Sequence, residues 1–327
     1  MDTMNYRKFL ITGGAGFIAH HLTKRLLDRG FHVVAFDNLS TGSRRNVAPY
    51  LDNPNFQFIE DTIFNHERIA EAIQASDFVF HLAAVVGVKN IIDNPVQTIK
   101  TNIEGTEIVI KECQLYQKAM FIASTSEVYG KGASPRFTET DDLVYGSTMK
   151  HRWSYACSKA IDEFFALAYV KKFGLKAVIA RFFNTIGPKQ TGEYGMVVPR
   201  LISQALNNEP LTVYGDGTQS RCFTYVGDVI DCLEKMIATP TCYGQVVNIG
   251  SDNEISILDL AKKIIAMTGS KSEIKIVPYD QAYEEGFEDM QRRHPNLDKL
   301  HALINFVPET TLDTAISAIV DDLRQSL

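Results

Sequence analysis

The chain has no apolar run long enough to cross a bilayer, no basic stripe, and no cysteine or histidine cluster with metal-ligand spacing. Each absence removes a class of function. The first residues, MDTMNYRKFLITGG, pass straight into a strand pattern, without the basic start and apolar segment of a leader, so neither a signal peptide nor a membrane span is expected. The five cysteines (Cys113, Cys157, Cys222, Cys232, Cys242) are odd in number and form no CxxC pair, which fits a reduced, cytoplasmic setting. Eight histidines are scattered, and His20 and His21 fall on different faces of a helix, so no metal is expected. With a formal net charge of -6 and dispersed acidic residues, nothing follows a nucleic-acid backbone or an anionic membrane. Any bound phosphate has to be met by local groups.

What is present is a core. With 327 residues, 45% of them hydrophobic and 22% charged, the chain forms one large or two intimately joined domains. Short β-branched and aromatic runs predict strands at Lys8 to Thr12, His32 to Phe36, Phe56 to Ile59, Phe78 to His81, Ala119 to Ala123 and Lys176 to Arg181. Amphipathic stretches between them predict helices at Phe17 to Asp28, His66 to Ala75, Pro95 to Tyr116 and Tyr155 to Phe173. Strand and helix in alternation predict an α/β fold, a Rossmann-type doubly wound parallel sheet covered on both faces. After Phe183 the rhythm breaks, and residues 184–327 read as a smaller mixed α/β lobe. Returns near 222–250, a strand at Gln245 to Ile249 and a helix at Ile255 to Met267 interleave it with the 1–183 domain.

The sequence FLITGGAGFIA places a glycine turn between the first strand and the first helix. Gly13 permits the tight turn, and Gly16 lets the N–H groups at the helix start, beside Phe17 and Ile18, approach a pyrophosphate. Ala19 takes the place of the third glycine, where a small residue serves close helix-to-sheet packing. Twenty-one residues after Gly16, Asp37 ends the second strand and is positioned to accept hydrogen bonds from an adenosine ribose, with Asn38 beside it. A carboxylate there favours NAD over NADP, whose 2'-phosphate it repels. Arg44 and Arg45 follow closely enough to reach such a phosphate.

Together with His81-Leu82-Ala83-Ala84, Asn102 in TNIEGT, Ser124-Thr125-Ser126-Glu127-Val128-Tyr129-Gly130 and Tyr155-Ala156-Cys157-Ser158-Lys159, these motifs resemble the extended short-chain dehydrogenase/reductases over nearly the whole chain. The resemblance implies an enzyme that holds NAD and remodels the sugar of a UDP-sugar. It implies adenine contact at Asp61 with Thr62 adjacent, a dinucleotide cleft lined by Leu82, Ala83, Ala84, Ser124 and Phe182, and a supporting role for Asn102. It also implies substrate contacts from Asn184 and Arg221 to diphosphate or sugar, Val198 and Thr212 to Tyr214 by the base, and Arg293 clamping phosphate. Relatives dimerise through four helices, and the stretches Pro95 to Tyr116 and Tyr155 to Phe173 have apolar faces compatible with a homodimer.

Tyr155 and Lys159 lie one helical turn apart, so Lys159 is expected to lower the phenol's pKa and anchor the nicotinamide ribose while Tyr155 takes a hydroxyl proton. Thr125 is the expected hydroxyl that orients the substrate oxygen. The triplet Thr125-Ser126-Glu127 is similar to that of UDP-glucuronate decarboxylases, where Glu127 or a water it holds handles the C5 proton and Arg221 orients the carboxylate. The segment GPKQTGEYGMVVPR is more similar to epimerases and dehydratases, which keeps a 4-epimerase as the alternative. A 4,6-dehydratase is disfavoured because Ser126 stands where its acid belongs. A dinucleotide-binding regulatory protein is the reading from another class, and the retained Tyr155, Lys159 and Thr125 argue against it.

Overall fold

The structure, a computed structural model, describes residues 6–192, 196–282, 288 and 290–325. Seven strands form one parallel sheet. They are β1 (Lys8–Thr12), β2 (His32–Asp37), β3 (Phe56–Glu60), β4 (Phe78–His81), β5 (Ala119–Thr125), β6 (Ala177–Phe182) and a last strand, Val246–Ile249. Their spatial order runs from Val246–Ile249 through β6, β5, β4, β1 and β2 to β3. The inner strands are buried on both faces, so their apolar residues run with few polar breaks, whereas Gln57 interrupts the edge strand β3 and is exposed. Phe9, Ile11, Ala35, Phe80 and Phe121 point to one face, and Leu10, Val34, Phe36, Val79 and Met120 to the other.

Helices cover both faces. Phe17–Asp28 and Val226–Ala238 pack on the first, and His66–Gln74, Pro95–Leu115 and Arg152–Phe173 on the second. The registers align the carboxyl ends, with Thr12 beside both Phe36 and His81 and Thr125 beside Phe182. Strand order reverses between β1 and β4, which opens a crevice outside the carboxyl ends of the strands.

The second lobe closes over that crevice around its own core of Val198, Leu201, Leu211, Val213, Leu260, Ile264 and Ile316. Its helices are Val197–Leu206, Ile257–Thr268 and Leu312–Arg324. A small sheet carries Ser220–Cys222 between antiparallel Glu254–Ser256 and parallel Arg292–Arg293. Here the structure departs from the expected helix at Ile255 to Met267. The first residues are the strand Glu254–Ser256, and the helix starts at Ile257 because the Ser256 hydroxyl caps it, accepting from the Asp259 N–H at 3.0 Å. The helix expected from Tyr155 begins one turn earlier, at Arg152. Among the described residues no helix is long and apolar enough to cross a membrane.

Candidate active site

The crevice is a cleft of about 1200 Å³ reaching from the glycine turn to the second lobe. At one end Gly13 has φ +69, and a Cβ there would lie 2.7 Å from the Ala83 backbone nitrogen. The turn therefore admits no side chain on either count. A Gly13→Ala protein is expected to lose cofactor binding together with stability, checked by NAD titration and thermal melting; unchanged NAD affinity would contradict the placement. Gly16 precedes helix Phe17–Asp28, whose first turn has neither a side-chain cap nor an acidic residue. Its N–H groups and the positive end of its dipole are left for an anion. Ala19 is buried in the sheet-side core, where a larger side chain would hold helix and sheet apart.

Asp37 closes β2 almost fully buried, accepting from the Ala15 N–H at 3.0 Å and the Leu39 N–H at 2.7 Å. Burial pushes its carboxyl up, and these two backbone donors oppose that. Asn38, Asp61 and Thr62 continue the wall, with the Asp61 carboxylate accepting from the Thr62 N–H at 2.7 Å and the Asn65 amide at 2.8 Å. Arg44 pairs with Glu60, while Arg45 lines the cleft.

Further along, Leu82, Ala83, Ala84, Ser124 and Phe182 line the floor beneath Thr125, Tyr155 and Lys159. β5 delivers Thr125 at its very end, and the chain then tightens into the turn Ser126–Tyr129, with the Thr125 hydroxyl accepting from the Glu127 N–H at 3.3 Å. Helix Arg152–Phe173 brings Tyr155 and Lys159 to the opposite wall, and the Thr125 hydroxyl hydrogen-bonds the Tyr155 phenol. Asn184, Val198, Tyr214, Arg221 and Arg293 line the far side.

Two expected residues stand back from the lining. Asn102 is fully buried, accepting from the Val85 N–H at 2.9 Å and donating to the Ser158 hydroxyl at 3.1 Å, so it steadies the helix behind Tyr155 without facing the cleft. Thr212 turns its hydroxyl to Arg200 and to Gln204, and Arg200 instead lies in the lining, with its guanidinium 4.3 Å over the Tyr214 ring. Residues 193–195 of the glycine-rich segment before Met196 lie outside the described residues.

The electrostatics bear on two of the expected roles. The Tyr155 phenol is held well above its ordinary value. Burial raises it, the Glu127 charge raises it further, and the Lys159 ammonium is committed to Asp162 at 2.7 Å. Glu127, expected to handle the C5 proton itself or through a water it holds, is an anion between two buried guanidiniums, which favours the water. It pairs with Arg152 and, at 2.8 Å, with Arg293. Burial alone would push its carboxyl up, but Arg152, Arg293 and the more distant Arg221 hold it at about 2. Arg293 accordingly sits beside the Tyr155 end of the cleft.

Arg152 was missed in the sequence. It is only 1% exposed, yet its signal was there, since it precedes Tyr155 by three residues and so shares its helix face. Ser124, in turn, donates to Glu163, which Arg181 grips through Nη2 at 2.7 Å and Nε at 3.0 Å. This fixes the floor from behind.

The model of the NAD dependent epimerase/dehydratase family matches residues 9–250. The chain belongs to that family. It is 38% identical over 320 residues to a UDP-N-acetyl-alpha-D-glucosaminuronate decarboxylase of Bacillus cytotoxicus, covering 98% of both chains. It is 34% identical over 323 residues to UDP-glucuronic acid decarboxylase 1 of Xenopus tropicalis, covering 98% of this chain and 73% of that one. Among solved structures, a UDP-glucuronic acid 4-epimerase of Bacillus cereus, in complex with UDP-glucuronic acid and NAD, superposes with a TM-score of 0.88. That pair is 30% identical and covers 98% of this chain and 100% of the other.

The protein is thus an NAD-dependent enzyme of the nucleotide-sugar decarboxylase and epimerase kind. The cleft fits NAD on its own terms. A helix start without a capping side chain, a turn with no room for a Cβ and a carboxylate ending β2 are what a pyrophosphate and an adenosine ribose require.

Proposed function

We propose that this enzyme removes the carboxyl group of a UDP-hexuronate through a transient 4-keto sugar, yielding a UDP-pentose or UDP-4-keto-pentose. The observation that carries the reading is the buried charge cluster. Among the described residues Arg152, Arg221 and Arg293 converge on the Glu127 carboxylate beside Tyr155, which gives this end of the cleft a wall of guanidinium groups. A sugar carboxylate that enters there meets guanidinium donors through charge-assisted, bidentate hydrogen bonds, a recognition that a neutral hexose lacks.

The roles of the chain's own residues follow. Gly13, Gly16, Phe17, Ile18, Asp37, Asn38, Asp61, Thr62, Leu82, Ala83, Ala84, Ser124 and Phe182 would hold NAD, with Lys159 at its nicotinamide ribose and Asn102 supporting from behind. Bound there, NAD supplies the hydride acceptor for C4, and NADH held in place supplies the donor if the ketone is reduced. Tyr155 takes the C4 hydroxyl proton while Thr125 orients that oxygen. The C6 carboxylate is then β to a ketone. Its C–C bond breaks, carbon dioxide leaves, and the electron pair passes into an enolate whose oxygen Tyr155 and Thr125 stabilise. Water supplies the proton to C5, since Glu127, held ionised, has none to give.

A specific observation keeps a second reading, C4 epimerisation of the same uronate, namely the Bacillus cereus neighbour. Glu127 favours decarboxylation, because it shares the guanidiniums with the substrate carboxylate and leaves that group less fully neutralised, easing its departure as uncharged carbon dioxide. Ser126, buried beside it, stays a candidate catalytic residue of the Thr125-Ser126-Glu127 triplet. Incubation with UDP-glucuronate, UDP-N-acetylglucosaminuronate and the matching UDP-hexoses separates the readings. Carbon dioxide and a lighter nucleotide sugar from a uronate are expected; a product of unchanged mass means epimerase.

A homodimer follows from two helices that pack together and leave apolar side chains in solvent. Val96, Ile99 and Leu115 on Pro95–Leu115 and Ile161, Phe164 and Phe173 on Arg152–Phe173 are all exposed, Phe164 by 69%. A second copy laid two-fold on this face covers them in a four-helix interface. Phe164→Glu is expected to halve the mass in sedimentation while the chain stays folded; an unchanged mass would refute this face.

A further inference from the structure

We propose that Asp162 is a positioning residue, which keeps the buried Lys159 charged and aimed and thereby sets the pH range in which this enzyme holds NAD and turns over. The inference rests on the roles proposed for Tyr155 and Lys159, and is independent of what becomes of the keto sugar.

Lys159 reaches the cleft from a dry position. Its side chain is 2% exposed and that of Asp162 is 0%, and Nζ meets Asp162 Oδ2 at 2.7 Å. A lone ammonium there would shed its proton readily, since burial disfavours the charged form. An anion is needed beside it.

The neighbours show which group supplies it. From β4, His81 lies close enough for the two charges to interact, but its Nδ1 contacts the Thr12 hydroxyl at 2.7 Å and its Nε2 the Thr106 hydroxyl at 3.0 Å. Burial, with Lys159 adding to it, pushes His81 down to about 3, so it is neutral. Helix Pro95–Leu115 contributes the Thr106 hydroxyl on the Asp162 side, a group without charge. On the helix of Lys159 itself, Glu163 is bound to Arg181 and Ser124. Across Tyr155, Glu127 is held by Arg152 and Arg293. Among the described residues this leaves Asp162 as the counter-ion.

Asp162 also has capacity to spare. Its Oδ1 is buried without a hydrogen-bond partner among the described residues, an expensive state for a carboxylate that only helped the fold. The Lys159 ammonium has three donors to distribute, so this oxygen offers it a second acceptor as its tip moves between the helix and the cleft. The contacts from Thr12, the residue before Gly13, to His81 and from His81 to Thr106 further bring the pyrophosphate turn close to the Asp162 and Lys159 pair.

Asp162→Asn keeps the shape and removes the charge. Lys159 then loses its proton at lower pH, and while charged it exerts an unbalanced pull on the Tyr155 proton, so both arms of the pH profile of kcat/KM move to lower pH, by about one unit. A second reading does not need turnover. Calorimetric NAD titration of the apoenzyme from pH 6 to 9 should show roughly tenfold weaker binding of Asp162→Asn at the alkaline end with recovery at the acid end, against a flat wild type. If Asp162→Asn does not fold, Asp162→Ser, smaller and also uncharged, puts the same question. A profile that stays in place with NAD affinity scaled equally at every pH would mean Asp162 serves the fold alone. Lys159→Met is the control. If that variant binds NAD and turns over normally, the reading of Lys159 itself has failed; if it is inert while Asp162→Asn does not shift, the role of Asp162 alone is overturned.

Discussion

Replacing Tyr155 with phenylalanine is expected to lower kcat by about three orders of magnitude, the scale of a lost general acid-base group, while NAD stays bound. The reason lies in the surroundings of the phenol. Burial and the Glu127 charge both resist its ionisation, and the Thr125 hydroxyl is the group that hydrogen-bonds it. A proton leaves such a phenol readily only when the loaded cleft supplies positive charge, so in the proposed reaction Tyr155 would act in concert with transfer and not as a free base. Steady-state kinetics with NAD content measured on the same sample checks this. Turnover within tenfold of wild type would remove Tyr155 from the chemistry.

The second large effect is expected at Glu127. Changing it to glutamine removes the anion that the buried Arg152 and Arg293 guanidiniums share, and breaking a buried pair in this way costs about 3–5 kcal/mol. Urea unfolding measures it. The same pair has a pH signature. The folded carboxyl is held at about 2, below its ordinary value of 4.5, so its stabilisation is complete above the ordinary value and is lost as pH falls from there toward 2. Glu127→Gln should therefore flatten the acid limb of the stability curve. Adding Arg152→Met should recover part of the loss, because one of the two charges that Glu127 neutralises is removed with it. A Glu127→Gln protein as stable as wild type would show that the cluster is not a bound unit.

These effects also mark where the sequence was legible. The sheet was, because its inner strands are apolar runs set off by turns, and β1, β4 and helix Phe17–Asp28 have the bounds that their patterns predict. The glycine turn was, since its spacing to Asp37 reflects one βαβ unit. The charge cluster was not. Glu127, Arg152 and Arg293 come from a turn, a helix and a two-residue strand, and sequence alone does not say that three such elements meet. Lys159 and Asp162 are three residues apart and visible as a pair, but their consequence depends on both being dry. The strand Glu254–Ser256 hid inside a helical pattern because Ile255 suits either period, and the cap at Ser256 decides between them.

The most direct measurement uses UDP-glucuronate and UDP-N-acetylglucosaminuronate isotopically labelled at the carboxyl carbon, each incubated with the NAD-loaded enzyme and followed by carbon NMR. The buried arginine cluster around Glu127 predicts that the label leaves the sugar and appears as bicarbonate, together with an unlabelled UDP-pentose or its 4-ketone. Label retained on a hexuronate inverted at C4 would contradict decarboxylation and make the enzyme an epimerase.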